Sequence, residues 1–248
     1  MSGHSKWSQI KRQKGVVDAR RGQLFTKITR EIMVAVREGG PNPESNFQLR
    51  LAVQEARNSN MPSENIERAI KRASGGAEVS DLTPVILEGY GPNGVAVLVQ
   101  ALSNNRNRTI QEVRHFFTHH GGNLGESGCV SWLFEHKGII TVESDASAAE
   151  GIALQAIDAG AEDVKTGEGY LEIYTQAQDM ENVKGAIEKE RSIVSAELSL
   201  VPKTTVLLGE REAVQTLGFL DRLEELDDVQ RVFSNIDFSD STLEKLRS

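Results

Sequence analysis

Residues 138–203 read GIITVESDASAAEGIALQAIDAGAEDVKTGEGYLEIYTQAQDMENVKGAIEKERSIVSAELSLVPK, and their pattern decides the fold. Ile139, Ile140 and Val142 form a short apolar run rich in β-branched residues, the composition of a strand. Ala149, Ile152, Ala153, Ala156 and Ile157 then fall on one face of a helix that Gly160 ends. Two strands follow, around Val164 and from Leu171 to Tyr174. A second helix starts at Asp179 with Val183 and Ile187 facing inward, and a last strand runs from Ser195 to Leu200. The order βαββαβ is the ferredoxin-like pattern.

Outward from this block, the flanking pieces complete each other. Upstream, Val85 to Glu88 and Val95 to Leu102 read as strands joined through Gly89, Gly91, Pro92, Asn93 and Gly94. Thr109 and Glu112 have capping-box spacing and start a helix carrying Ile110, Val113, Phe116 and Phe117, with Gly121 and Gly122 closing it. Cys129 to Phe134 reads as a strand. Downstream lie a helix with Val214, Leu217 and Leu220 and a strand from Val229 to Phe233, too little for a domain alone. The economical assignment is a discontinuous middle domain, 77–135 plus 204–240, interrupted by the ferredoxin-like domain at 136–203.

The first 76 residues have helical periodicity. Leu24, Ile28, Ile32 and Val36 recur every four residues before Gly39, Gly40 and Pro41. A weaker stripe holds Phe47, Leu51 and Ala56. A third, with Ile66, Ala69, Ile70 and Ala73, opens at Pro62-Ser63, where Ser63 is expected to cap. The expected fold is therefore α+β in three domains. A three-helix bundle is followed by two α/β sandwich-type domains, the last ferredoxin-like and inserted in the middle one.

Charge is unevenly distributed along the 248 residues. Residues 1–30 hold eight basic side chains against Asp18 alone, a net of +7; residues 31–74 balance; and the remainder carries −15, so the total of −8 conceals a basic head on an acidic body. A polyanion is attracted to one end and repelled by the other. No apolar run approaches the roughly 18 residues of a membrane span, and the N-terminus has no apolar signal core. The single Cys129 excludes an internal disulfide. A cytoplasmic protein fits these observations.

Several motifs carry a family resemblance. They are Gly3-His4-Ser5-Lys6-Trp7, Asp18-Ala19-Arg20-Arg21-Gly22, Phe25-Thr26-Lys27, Glu88-Gly89-Tyr90-Gly91-Pro92, the run Asn104 to Thr109, and Gly121-Gly122-Asn123-Leu124-Gly125. Gly160-Ala161-Glu162-Asp163 and Leu226-Asp227-Asp228-Val229-Gln230 extend them. In order and over nearly the whole chain, they resemble the YebC/PmpR family. The resemblance implies a three-domain cytoplasmic protein. Its members are described as DNA-binding transcriptional regulators, its mitochondrial relatives as translational activators, and some bacterial members as helping ribosomes through proline-rich stretches. Gln23 departs from the family, which usually has a lysine after the Arg-Gly pair.

Two groups of residues are candidate nucleic-acid contacts. The first is the basic arm of His4, Lys6, Trp7, Lys11, Arg12, Lys14, Arg20, Arg21, Lys27 and Arg30. Its cations can neutralise phosphates and release counterions, and its flat side chains can stack on unpaired bases. The alternative is a solvated basic terminus. The second is the loop Asn105, Arg106, Asn107 and Arg108 ahead of a helix start, with the alternative that its arginines pair with acids of the body. His115, His119 and His120 read as helix-end histidines, and Cys129 as a buried structural thiol. Glu224, Glu225, Asp227 and Asp228 read as a solvated acidic surface. No nucleophile–base arrangement, Walker lysine or zinc pattern is present. The expectation is a non-enzymatic regulator without cofactor, with DNA or RNA at its basic end. A ribosome or a basic protein is a possible partner of its acidic body.

Overall fold

The computed structural model describes residues 18–75, 82–145, 147–167, 169–189 and 191–247. Helix α1 spans Asp18–Gly39, α2 Phe47–Asn58 and α3 Ser63–Ser74. Their stripes meet in one apolar cluster around Ile28, Ile32, Leu49, Ala56, Ile66 and Ala69. Gly40 ends α1 with φ +83°, a left-handed conformation costly for residues with a Cβ, and its N–H reaches Val36 O at 2.8 Å. The buried Asn46 then joins two helices. Its Oδ1 accepts from Leu49 N (3.0 Å) to cap α2, while its Nδ2 donates to Ala35 O (2.7 Å) and Gly40 O (2.8 Å). Ser63 does not cap α3. Pro62 occupies the cap position in an extended conformation, which makes Ser63 the first helical residue.

The second layer set begins with β1 (Thr83–Tyr90) and β2 (Ala96–Ser103), an antiparallel pair linked by a 3₁₀ turn at Pro92–Gly94. Next come α4 (Arg106–His119) and the short β3 (Asn123–Leu124). Gly89 must lack a side chain, because a Cβ there would lie 2.5 Å from Asn123 O on the paired strand β3. After residue 203 the chain adds β8 (Val206–Leu208), α7 (Glu210–Glu224), β9 (Val229–Ser234), β10 (Ile236–Phe238) and α8 (Asp240–Arg247). The main sheet has order β3-β1-β2-β9 with antiparallel neighbours, and β8 pairs with β10 in parallel. Phe116 and Phe117 of α4 meet Phe219 of α7 in the core, at ring separations of 5.2 and 5.1 Å. Valines 97, 99 and 232 belong to the same cluster. Asn93, at φ 62°, donates to Thr216 Oγ1 at 3.0 Å and so ties the β1–β2 turn to α7.

Residues 134–203 form a separate compact unit. It consists of β4 (Phe134–Glu143), α5 (Ala149–Asp158), β5 (Asp163–Gly167), β6 (Tyr170–Gln176), α6 (Met180–Glu188) and β7 (Ile193–Pro202). The sheet order β5-β6-β4-β7, all antiparallel, is the ferredoxin-like arrangement expected from the sequence. Its buried residues include Ile140, Val142, Leu171 and Ile173 from the strands and Ile152, Ala156, Val183 and Ile187 from the helices.

Four local expectations are corrected. No strand runs over 129–134. Residues Ser131–Leu133 make a 3₁₀ turn and Phe134 opens β4. The cause is Glu88, whose buried carboxylate accepts from the N–H groups of Gly128 (2.8 Å), Val130 (2.9 Å) and Ser131 (2.7 Å) and curls that segment. Cys129, within it, is half-buried rather than buried. Helix α4 starts at Arg106, capped by Asn105, so Thr109 lies inside it. Val214 points outward at 52% exposure, while Ala213, Leu217, Leu220 and Leu223 face the core of α7. Strands β3, β8 and β10 are two or three residues long, too short for a periodicity to show.

Candidate nucleic-acid interface

His4, Lys6, Trp7, Lys11, Arg12 and Lys14 lie outside the described residues, as does the side chain of Arg20. The rest of the basic arm is the first half of α1. Arg21 is exposed on its opening turn. Two turns on, Lys27 Nζ donates to Glu224 O, the last residue of α7. Arg30 Nη1 donates to Asp227 O at 2.6 Å and lies 3.5 Å from Asp228 Oδ1. Carbonyls at the C-terminal end of a helix lack intrahelical partners and carry partial negative charge. Lys27 therefore docks α1 against the end of α7, and Arg30 against the turn that follows.

Asp228 receives the second candidate group as well. Asn105 Oδ1 accepts from Arg108 N at 3.2 Å, and this cap turns the Arg108 side chain back toward Asn104 Oδ1 (3.1 Å) and Asp228 Oδ2 (2.9 Å). Thr109 Oγ1, 2.6 Å from Ser103 Oγ, donates to Asp228 Oδ2 at 2.6 Å. The carboxylate is buried and takes Arg30 on one oxygen and Arg108 on the other. Burial disfavours its charge, but the hydrogen bonds from Thr109 and Arg108 and the charges of Arg108 and Arg30 outweigh that and hold its carboxyl below the ordinary aspartate value. The bond to Asp228, with its charge, correspondingly raises Arg108. Arg106 and Asn107 are exposed on the first turn of α4, which has no acidic side chain.

The structure thus brings the end of the basic arm and the 105–108 loop to one carboxylate, which no spacing in the sequence indicated. The acidic run is not simply a solvated surface. Asp228 is buried, and the backbones of Glu224 and Asp227 hold cations. His115 and His119 have ring centroids 4.0 Å apart, and His120 Nδ1 lies 2.8 Å from Phe116 O. Among the described residues no group of three or more His, Cys, Asp or Glu is placed to hold a metal ion. None of the described helices is long and apolar enough to cross a membrane.

Comparison with known proteins gives consistent matches over the length of the chain. Residues 5–76 match a family described as TACO1/YebC protein N-terminal domain, and residues 82–236 one described as TACO1/YebC second and third domain. A protein of Dehalococcoides mccartyi strain CBDB1 is 57% identical, covering 100% of this chain and 99% of its own length. One of Thermotoga maritima is 49% identical, covering 100% and 98%. Both are named probable transcriptional regulatory proteins. The crystal structure of a conserved hypothetical protein from Aquifex aeolicus superposes with a TM-score of 0.80 at 50% identity, covering 90% of this chain and 93% of that one.

Proposed function

The chain belongs to the TACO1/YebC family, and from that premise we propose that it is a non-enzymatic regulator of transcription that binds DNA through its basic N-terminal segment. The observation that carries this reading is the separation of charge, +7 over residues 1–30 on a chain whose total is −8. Such a head attracts a polyanion, while the acidic remainder is repelled and orients the molecule. The names of the relatives support the regulatory half of the reading.

The geometry of α1 narrows the contact set. Lys27 and Arg30 already serve α7 and Asp228. The first phosphate contacts in this reading belong to Lys6, Lys11, Arg12, Lys14, Arg20 and Arg21, with His4 and Trp7 as stacking surfaces, while Arg30 engages a phosphate only by leaving Asp228. No zinc-finger, leucine-zipper or RNP aromatic pattern is present to read base edges, so binding is expected to have weak sequence preference.

Fluorescence anisotropy with labelled duplex DNA, titrated with salt, tests the proposal. Four to six phosphate contacts give a slope of log K against log salt of roughly −4 to −5 for duplex DNA. The double variant Lys11→Glu, Lys14→Glu flattens that slope by about 2. A slope near zero for the unaltered protein overturns the proposal. Binding to single-stranded or ribosomal RNA with no binding to DNA overturns the transcriptional assignment in favour of an RNA partner.

A further inference from the structure

We propose that Asp228 is the catch of an electrostatic latch holding the helical bundle against the middle sheet, and that the bundle releases as a folded unit when the latch is screened or displaced. The two apolar cores have no member in common. One is built from α1, α2 and α3 around Ile32 and Leu49, the other from the main sheet with α4 and α7 around Val97 and Phe117. Each can stay packed without the other.

Several polar contacts reach between them. Arg30 meets Asp228 and Asp227 O, and Lys27 meets Glu224 O. Arg37 Nη1 donates to Leu82 O at 2.7 Å. In the opposite sense, Arg231 of β9 reaches back to Glu31 of α1 at 3.5 Å and Glu55 of α2 at 2.7 Å. The Arg30 and Arg231 side chains keep 25% and 28% of their surface in solvent. Because these pairs are only partly buried, salt at about 1 M, with its Debye length of ~3 Å, still weakens them, though less than it weakens fully exposed pairs, and relative motion is the default for domains whose interface is not large and hydrophobic. Asp228 differs from the other contacts because Thr109 and Arg108 fix its carboxylate on the sheet side, ready to receive Arg30.

A second route of release follows from charge. A nucleic-acid phosphate offers Arg30 the same charge-assisted hydrogen bond as Asp228. This route, unlike the latch itself, rests on the nucleic-acid reading.

The test uses the full chain with Cys129→Ser and spin labels on Asn58→Cys in α2 and Thr118→Cys in α4, both exposed positions. Pulsed dipolar spectroscopy then reads the distance between bundle and sheet. The expected result is one narrow distance at low salt and a broad, longer distribution in about 1 M NaCl, where the Debye length is ~3 Å, with unchanged helical circular dichroism. Arg30→Gln and Arg231→Gln each produce the broad distribution at low salt, as does Asp228→Asn if it folds. A narrow distance that survives high salt and both arginine variants overturns the latch. Added duplex DNA that broadens the distance at low salt supports displacement. DNA that binds and leaves it narrow overturns the phosphate route alone. DNA that does not bind overturns the nucleic-acid reading, and the salt arm still decides the latch.

Discussion

Asn46 carries three hydrogen bonds with one amide, and its loss is felt at two helix ends. Asn46→Ala removes the cap of α2, takes the second donor from Ala35 O, and leaves Gly40 O without its side-chain donor at a position where Asn46 is 5% exposed. A lost cap costs about 1 kcal/mol and an acceptor left without its donor another 1–3. The substitution is expected to lower stability by about 2–3 kcal/mol in urea denaturation. A change under about 0.5 kcal/mol would contradict the geometry.

Glu88 and Asp228 are the residue-scale source of acid sensitivity. Burial raises the Glu88 carboxyl, but three backbone N–H bonds bring it below the ordinary value of 4.5, as Asp228 is brought below 3.8. A depressed folded-state value means the folded protein binds fewer protons than the unfolded chain. Both groups contribute fully above the ordinary values, and their contribution is lost as pH falls through the depressed ones. Stability is therefore expected to be insensitive to these two groups from pH 7 to 5 and to fall below about pH 4. Glu88→Gln should reduce that acid slope in urea titrations at stepped pH, because glutamine does not ionise and its amide cannot accept all three donors.

At the scale of elements, α4 shows how a start position changes the meaning of a motif. The Thr109–Glu112 spacing suits a capping box, yet Asn105 at the same chemistry lies one turn earlier and takes the cap. Thr109 is thereby buried against Asp228. The two arginines of the loop consequently have different roles. Arg106→Ala removes an exposed cation and is expected to leave the melting temperature unchanged. Arg108→Ala takes one of two arginines from a buried carboxylate and is expected to lower it. Equal melting temperatures in differential scanning calorimetry would refute that division. Any effect of Arg106→Ala on nucleic-acid affinity then reads contact without a stability component. β4 makes the same point for strands. Residues 129–134 have strand composition, but the Glu88 carboxylate draws their N–H groups away from any ladder, and the continuous strand begins at Phe134.

For the whole molecule, the type and order of most elements were legible because their apolar residues recur at helical or strand spacing, whereas helix α8 at Asp240–Arg247 was not read. The stripe Leu24, Ile28, Ile32, Val36 and the sequence of short apolar runs and helical stripes through 138–203 determined a helical bundle and a βαββαβ unit, since burying those faces leaves little choice. The charge imbalance of residues 1–30 was likewise a property of the chain alone. Tertiary structure decided what the individual charges do. Lys27 and Arg30 belong to the basic head by sequence, but nearly two hundred residues separate them from the carbonyls of Glu224 and Asp227 that receive them. Asp228 stands in an acidic run, and only the meeting of α1, α4 and the turn before β9 makes it a buried partner of two arginines. Periodicity reports burial because burial is set by a face repeated along one element. Pairing of charges depends on where separate elements meet, and that information exists only once the chain has folded.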